Sequence, residues 1–328
     1  MSWYYHSAYT GMTCFPPKAG MELAAELVYF CTKNMPRWNT VNIFGYGMEE
    51  AGATAVQEVA FSVATGIDYA RWCITKGLKP DEFLPRFGFQ ISQANDFFEE
   101  VCKIRALRRI WARKCYELGA RDPRSMHVRI HTHTSGAVLT AQQPLNNLIR
   151  TTLHSFGAAL AGVQAMEVST FDEALAIPTE HSHTMALRVQ QIIQEESGMT
   201  RVADPLGGSY YVEALTNQIE AAALKIFDEV EKRGGYHKCH DFVRAQIEAS
   251  AQRWRDEVDA KKRILVGVNK YVSDEIQDVE VFKLNPESER IAVERVQALR
   301  ANRDRARRRP WHSSSRRPNA SRPARLAF

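Results

Sequence analysis

No stretch of these 328 residues approaches the roughly 20 consecutive apolar residues needed to cross a bilayer as a helix. The first fifteen residues mix aromatic and polar side chains and lack a basic segment followed by an apolar core, so a signal peptide is not expected and an intracellular, cytoplasmic protein is. The six cysteines (Cys14, Cys31, Cys73, Cys102, Cys115 and Cys239) form no CxxC and no regular spacing, which argues against a disulfide scaffold and a zinc site. Adjacent Cys239 and His240 cannot complete a metal site by themselves, and no metal ligand set is expected. A GxGxxG phosphate loop is also missing, which removes the main signature of a dinucleotide-binding open sheet.

The composition that remains, 45% hydrophobic and 25% charged, is that of a globular protein with a substantial core. Its net charge of +5 is unevenly spread. Residues 303–328 hold nine arginines and one acid, which leaves about −3 for residues 1–302. That tail is rich in Arg, Pro and Ser with hardly an apolar residue, and is expected to be disordered. Nucleic-acid binding through it would be salt-sensitive, but apart from Trp311 it lacks interleaved aromatics and carries no recognised module, so nucleic acid is not the expected partner.

The body alternates short β-branched runs with longer helical stretches. Strands are predicted near 41–44, 86–91, 126–131 and 162–168, and helices near 49–75, 94–118 and 144–160. Helices follow at about 180–197, 215–234 and 236–262, and a charged one at 287–303. Four strand-then-helix units in series imply parallel strands joined by right-handed crossovers. The expected fold class is α/β of the eightfold (β/α) TIM-barrel type, with only about the last four units present. The expected divisions are a partial barrel over 1–210, a helical extension over 211–302 and the basic tail over 303–328. In such a barrel the chemistry lies at the C-terminal strand ends, where Tyr46, the His131/His133 loop and Glu173 fall.

His131 and His133 are expected to point to opposite faces of their strand, leaving one at the pocket. Glu49-Glu50 and Asp172-Glu173 admit a second reading, as acids at helix starts favoured by the helix dipole. Arg105, Arg108 and Arg109 are expected to form a solvated basic face.

Several segments resemble one family closely. They include Gly45-Tyr46-Gly47-Met48-Glu49-Glu50-Ala51-Gly52-Ala53, Asp81-Glu82-Phe83-Leu84-Pro85-Arg86, Arg129-Ile130-His131-Thr132-His133-Thr134-Ser135-Gly136 and Phe171-Asp172-Glu173-Ala174-Leu175. Phe15-Pro16-Pro17, Pro144-Leu145-Asn146-Asn147, Glu195-Glu196-Ser197-Gly198, Asp204-Pro205-Leu206-Gly207-Gly208-Ser209-Tyr210-Tyr211 and Val266-Gly267-Val268-Asn269-Lys270-Tyr271 continue the series. In order and spacing, from about residue 11 to 302, the chain resembles the acyl-CoA-binding barrel of the adenosylcobalamin-dependent mutases of the methylmalonyl-CoA mutase family, in its second half.

The resemblance implies an isomerase that rearranges the carbon skeleton of a short acyl-CoA by radical chemistry. Residue by residue it implies that Tyr46 and His131 face the reacting substrate, and that Arg86 and His133 contact the acyl-CoA. Glu50, Gly136, Ala137, Gln164, Glu173 and Ala174 would then lie against adenosylcobalamin. It also implies partners: a cobalamin-binding small subunit that supplies the cobalt ligand, and a chain that supplies the first half of the barrel.

Departures cluster in the pocket. Gly47 stands where the family usually has a histidine that hydrogen-bonds the migrating thioester carbonyl, and His133 where glutamine is usual. Ala137 replaces an aromatic, and Glu167-Val168-Ser169 replaces His-Thr-Asn. These changes imply altered substrate choice, with Gly47 and Ala137 enlarging the pocket, or a catalytically inactive remnant or interaction protein that keeps the scaffold.

Overall fold

The structure, a computed structural model, describes residues 17–274 and 277–303. The arginine-rich tail from residue 304, Cys14 and the start of the Phe15-Pro16-Pro17 segment lie outside the described residues. Residues through Val281 form one compact unit, and those from Phe282 a second.

In the first unit the predicted alternation of strands and helices is present. Strands β1 (Val41–Phe44), β2 (Phe87–Gln93), β3 (Arg129–Thr134) and β4 (Ala165–Glu167) form one parallel sheet in the order β1-β2-β3-β4. The order follows the sequence without the reversal that defines a doubly wound sheet. Register is continuous across the sheet: Ile43 faces Phe89, Phe89 faces Ile130, and His131 faces Ala165. Val41, Ile43, Phe89, Ile91 and Ile130 are buried in the main core.

Helices α1 (Pro17–Asn34), α2 (Tyr46–Glu50), α3 (Ala55–Thr75), α4 (Phe97–Glu117), α5 (Asn146–Leu160), α6 (Glu180–Glu195), α7 (Tyr210–Lys232) and α8 (His240–Asp259) flank it. Helix α3 packs against α1, α4 and α7 and is buried on almost every side, its polar Glu58 and Asp68 included. At Gly66 a Cβ would lie 2.7 Å from Trp111 Cζ3, so glycine admits that ring, which in turn packs edge-on against Phe89 at 4.9 Å.

The single helix predicted over 49–75 is two. Gly52 adopts φ +106°, and a Cβ there would fall 2.4 Å from that of Ala251. Ser250 of α8 donates to the Gly52 carbonyl at 2.7 Å. A new helix then starts at the capping box of Thr54 and Gln57. Position 50 therefore ends α2, and the helix-dipole reading fails for Glu50. It fails for Glu173 too, because α6 begins only at Glu180.

The basic face of α4, expected to be solvated, is so only at Arg109; Arg105 and Arg108 are partly buried. Arg105 binds Asp204 (2.7 Å) and Glu213 (2.6 Å), Arg108 donates to the carbonyls of Ala161 and Gly162 at 2.6 Å, and Arg109 donates to Asn217 at 2.9 Å. These partners lie far away in sequence, so helical periodicity alone could not show them.

Beneath the strand ends lies a buried ion cluster. Lys103 Nζ donates to Glu58 (2.7 Å), Glu100 (2.5 Å) and the Ser92 carbonyl (2.9 Å), while the Ser92 amide and hydroxyl donate to Glu58 at 2.8 and 2.7 Å. The Lys103 side chain is fully buried. Burial opposes its charge, but Glu100 and Glu58 hold the ammonium above its ordinary range.

In the second unit, α9 (Pro286–Ala301) starts at Asn285, whose side chain accepts from the Glu287 amide. It buries no residue and leaves Ile291, Val293, Val296 and Leu299 exposed. Among the described residues no helix is long and apolar enough to cross a membrane.

Removing one partner of a buried ion network leaves uncompensated charge. Lys103→Met is therefore expected to lower stability by about 3–5 kcal/mol, read from the urea midpoint at unchanged slope. Adding Glu58→Gln and Glu100→Gln should recover much of that loss; an unshifted midpoint in the single variant would show that the cluster does not bind the core together.

Candidate functional site

The polar residues converge at the C-terminal ends of the strands. β1 ends at Phe44 and the chain turns at Gly45, where a Cβ would meet Ser62 Oγ at 2.4 Å and Ile91 Cδ1 at 2.9 Å. Only a bare backbone makes this turn so close to β2 and α3. The turn delivers Tyr46 and, one helical turn on, Glu50.

Tyr46 stacks on the imidazole of His133 with centroids 4.3 Å apart and 20° between planes, and meets Phe44 edge-on at 5.7 Å. Burial first, then the charges of Glu50, Glu173 and Glu49, drive its hydroxyl far above the ordinary phenol range. The group is a neutral donor beside the Glu50 carboxylate. His133 is held neutral by burial, which outweighs the pull of Glu167.

Glu50 ties two strand ends together. Its Oε1 accepts from the Ser135 hydroxyl (3.0 Å) and from the backbone N–H groups of Gly136 (2.8 Å) and Ala137 (3.3 Å). The same loop is fixed to β2, since the Ser135 amide donates to the Gln93 carbonyl at 2.8 Å. It is fixed to β4 as well: the Ser169 amide donates to Thr134 Oγ1 at 2.7 Å, and its hydroxyl donates to the Thr134 carbonyl at 2.8 Å. That hydroxyl also lies 3.3 Å from His133 Nε2.

Glu173 reaches the same loop from beyond β4. A Cβ at Gly136 would sit 2.5 Å from Glu173 Oε1 and 3.3 Å from Glu50 Oε2. Two carboxylates thus close over a bare backbone position, with Ala137 and Ala174 exposed beside them. Burial raises the Glu173 carboxyl above its usual range, and Glu50, Glu167 and Asp172 add to the effect while Ser169 opposes it. A pair of acceptors above a glycine suits a ligand that brings hydroxyl donors and a flat surface.

The structure brings Tyr46, Glu50, His133, Gly136, Ala137, Glu173 and Ala174 together. His131 lies two residues back along β3, on the same face as His133: both are half-buried, whereas Ile130, Thr132 and Thr134 are buried. The expected opposition of the two histidines is corrected, because strand side chains alternate with period two and i and i+2 share a face. Arg86 and Gln164 are at the other end of the sheet. Arg86 immediately precedes β2. Gln164 immediately precedes β4, where its Oε1 accepts from the Ile130 amide at 2.7 Å; it extends the ladder there instead of joining the cluster.

Ser135, Ser169 and Phe44 were missed in the sequence. Two are hydroxyls that bond across strand ends, and the third resembles any apolar strand residue. The only available signal was position, one or two residues beyond or at a strand end.

Removing the Glu50 carboxylate should free the β3 loop. Glu50→Ala is expected to speed hydrogen exchange at the Gly136 and Ala137 amides about tenfold or more, as charge-assisted bonds are lost; unchanged protection would show that other contacts hold the loop. Glu173 binds its proton more tightly folded than unfolded, so its contribution to stability is full below the ordinary carboxylate range and is lost as pH rises through its raised value. Stability should fall with pH across that window, and Glu173→Gln should flatten the profile in urea melts; an identical profile in the variant would assign the dependence to other groups.

Comparison with known proteins follows the same pattern. The family profile described as Methylmalonyl-CoA mutase matches residues 5–311. The methylmalonyl-CoA mutase of Escherichia coli (strain K12) is 42% identical over 292 residues, which cover 87% of this chain and 41% of that protein. The mitochondrial methylmalonyl-CoA mutase of Bos taurus is 40% identical over 296 residues (89% and 40%), and that of Rhizobium meliloti (strain 1021) 39% over 293 (88% and 41%). The chain thus spans about two fifths of the length of these curated relatives. From the profile match and the identity along nearly its whole length, this chain belongs to the methylmalonyl-CoA mutase family.

Proposed function

We propose that the chain is the second half of the acyl-CoA barrel of an adenosylcobalamin-dependent isomerase, working with a cobalamin-binding subunit and a chain that completes the barrel. The observation that carries this reading is the closure of Glu50 and Glu173 over Gly136. Two carboxylates accept paired ribose hydroxyls, and the glycine, with Ala137 and Ala174 beside it, lets backbone lie against a flat macrocycle. The cobalt ligand is assigned to the cobalamin-binding partner. When bound, the cofactor would supply the radical that starts the rearrangement.

The chain's own residues position the substrate and exclude water. Tyr46, held as a neutral donor, and the paired histidines of β3 line the face that an acyl group would meet. Arg86 lies seven strand residues away, or about 20 Å at ~3.3 Å per residue, too far to touch the acyl end. It suits the distant phosphate end of coenzyme A threaded along the barrel axis. Both edges support a partner half-barrel: among the described residues β1 and β4 each pair on one side only, and unpaired edges favour association.

The test is co-expression with the cobalamin-binding subunit and a chain bearing the first half-barrel, followed by acyl-CoA isomerisation with and without adenosylcobalamin. Cofactor-dependent turnover is expected, falling about 100-fold or more in Tyr46→Phe. A stable complex without turnover on any short acyl-CoA would instead mark an inactive scaffold.

A further inference from the structure

The absence of a side chain at position 47 does not open the pocket. A Cβ on Gly47 would lie 2.3 Å from Phe44 Cε1, 2.9 Å from Cδ1 and 3.3 Å from Cζ. All three atoms belong to one ring, which is 5% exposed and braced edge-on by Tyr46. Phe44 stands in register with Gln90, which in turn pairs with His131, so the ring shares the sheet's polar face with the histidines. Its volume and any side chain at position 47 exclude each other. The pocket enlargement expected from Gly47 is therefore corrected: a polar group has been exchanged for an aromatic wall.

Resting on the acyl-CoA reading above, we propose that Phe44 and Gly47 are a size-exchange pair that sets specificity, lining the acyl end with hydrocarbon so that the site takes a thioester with a neutral, apolar acyl group. The surrounding charge points the same way. Carboxylates of Glu50, Glu167 and Asp172 are among the charges that bear most on Tyr46 and Glu173. An acyl chain ending in a carboxylate would add a like charge beside them, with Arg86 out of reach at the opposite strand end. An apolar terminus meets the Phe44 ring instead and loses nothing.

Two measurements test this, the melts on the full chain and the binding on its complex with the chain that completes the barrel. In thermal melts, Gly47→His should lower Tm by about 5 °C or more, and adding Phe44→Ala should restore part of the loss, because the ring it removes is the obstacle. Two substitutions with simply additive losses would overturn the exchange. In binding, coenzyme A, butyryl-CoA and succinyl-CoA are compared, the last two having acyl chains of equal length. Butyryl-CoA should bind about tenfold or more tighter than succinyl-CoA, and the ratio should shrink to within about threefold in the Phe44→Ala/Gly47→His variant as the wall becomes polar. Equal binding of the two thioesters, or a ratio the double variant leaves unchanged, would overturn the specificity role while leaving the acyl-CoA reading standing. Failure of coenzyme A and both thioesters to bind would remove the acyl-CoA reading and this inference with it.

Discussion

A lysine ammonium with no exposure to water is the constraint on which this end of the molecule depends. Lys103 on α4 is tolerable only while Glu58 on α3, Glu100 one turn back on α4 and the Ser92 carbonyl of β2 surround it together. Taking any one away leaves a buried charge without its partner, so three elements are locked in one arrangement. The ensemble carries more acid than base. Glu49 beside it is half-buried, and desolvation with the nearby Glu50 and Glu58 raises its carboxyl well above the ordinary range; burial likewise raises Glu100, against the pull of Lys103.

From that cluster a short series of contacts leads to the surface. Ser92 adjoins Gln93, whose carbonyl takes the Ser135 amide. Ser135 and the two amides after it donate to the Glu50 carboxylate, and His133 of β3 stacks on the Tyr46 ring. The strand ends on this side of the sheet thus continue a buried ionic structure through hydrogen bonds.

The order of strands and the identity of most polar groups at their ends were legible because parallel β/α units repeat one pattern: an apolar run, a turn, a long helix. Tyr46, the His131/His133 loop and Glu173 could be found by position alone, whereas Glu50 and Gly136 came from the family resemblance. What failed did so for identifiable reasons. The parity of His131 and His133 is a matter of period two, and the sequence supports their sharing a face once that period is applied. The break between α2 and α3 needs Gly52 in a left-handed conformation under Ala251, a partner some two hundred residues away. Arg105 of α4 looks solvated until Glu213 of α7 and the Asp204 turn come to meet it, and the bond from the Ile130 amide to Gln164 likewise joins residues far apart in sequence.

By itself the sequence determined the α/β class, the succession of four strands and helices, and which residue types stand where chemistry is done. Hydrophobic period and turn chemistry are local properties, readable within a dozen residues. Only the tertiary structure decided that Glu50 serves the β3 loop and not its own helix, that Lys103 is an interior cation, and that the space at Gly47 belongs to Phe44. Each of those depends on atoms far apart in the chain and brought within a few ångströms by packing, and neither periodicity nor composition carries that information.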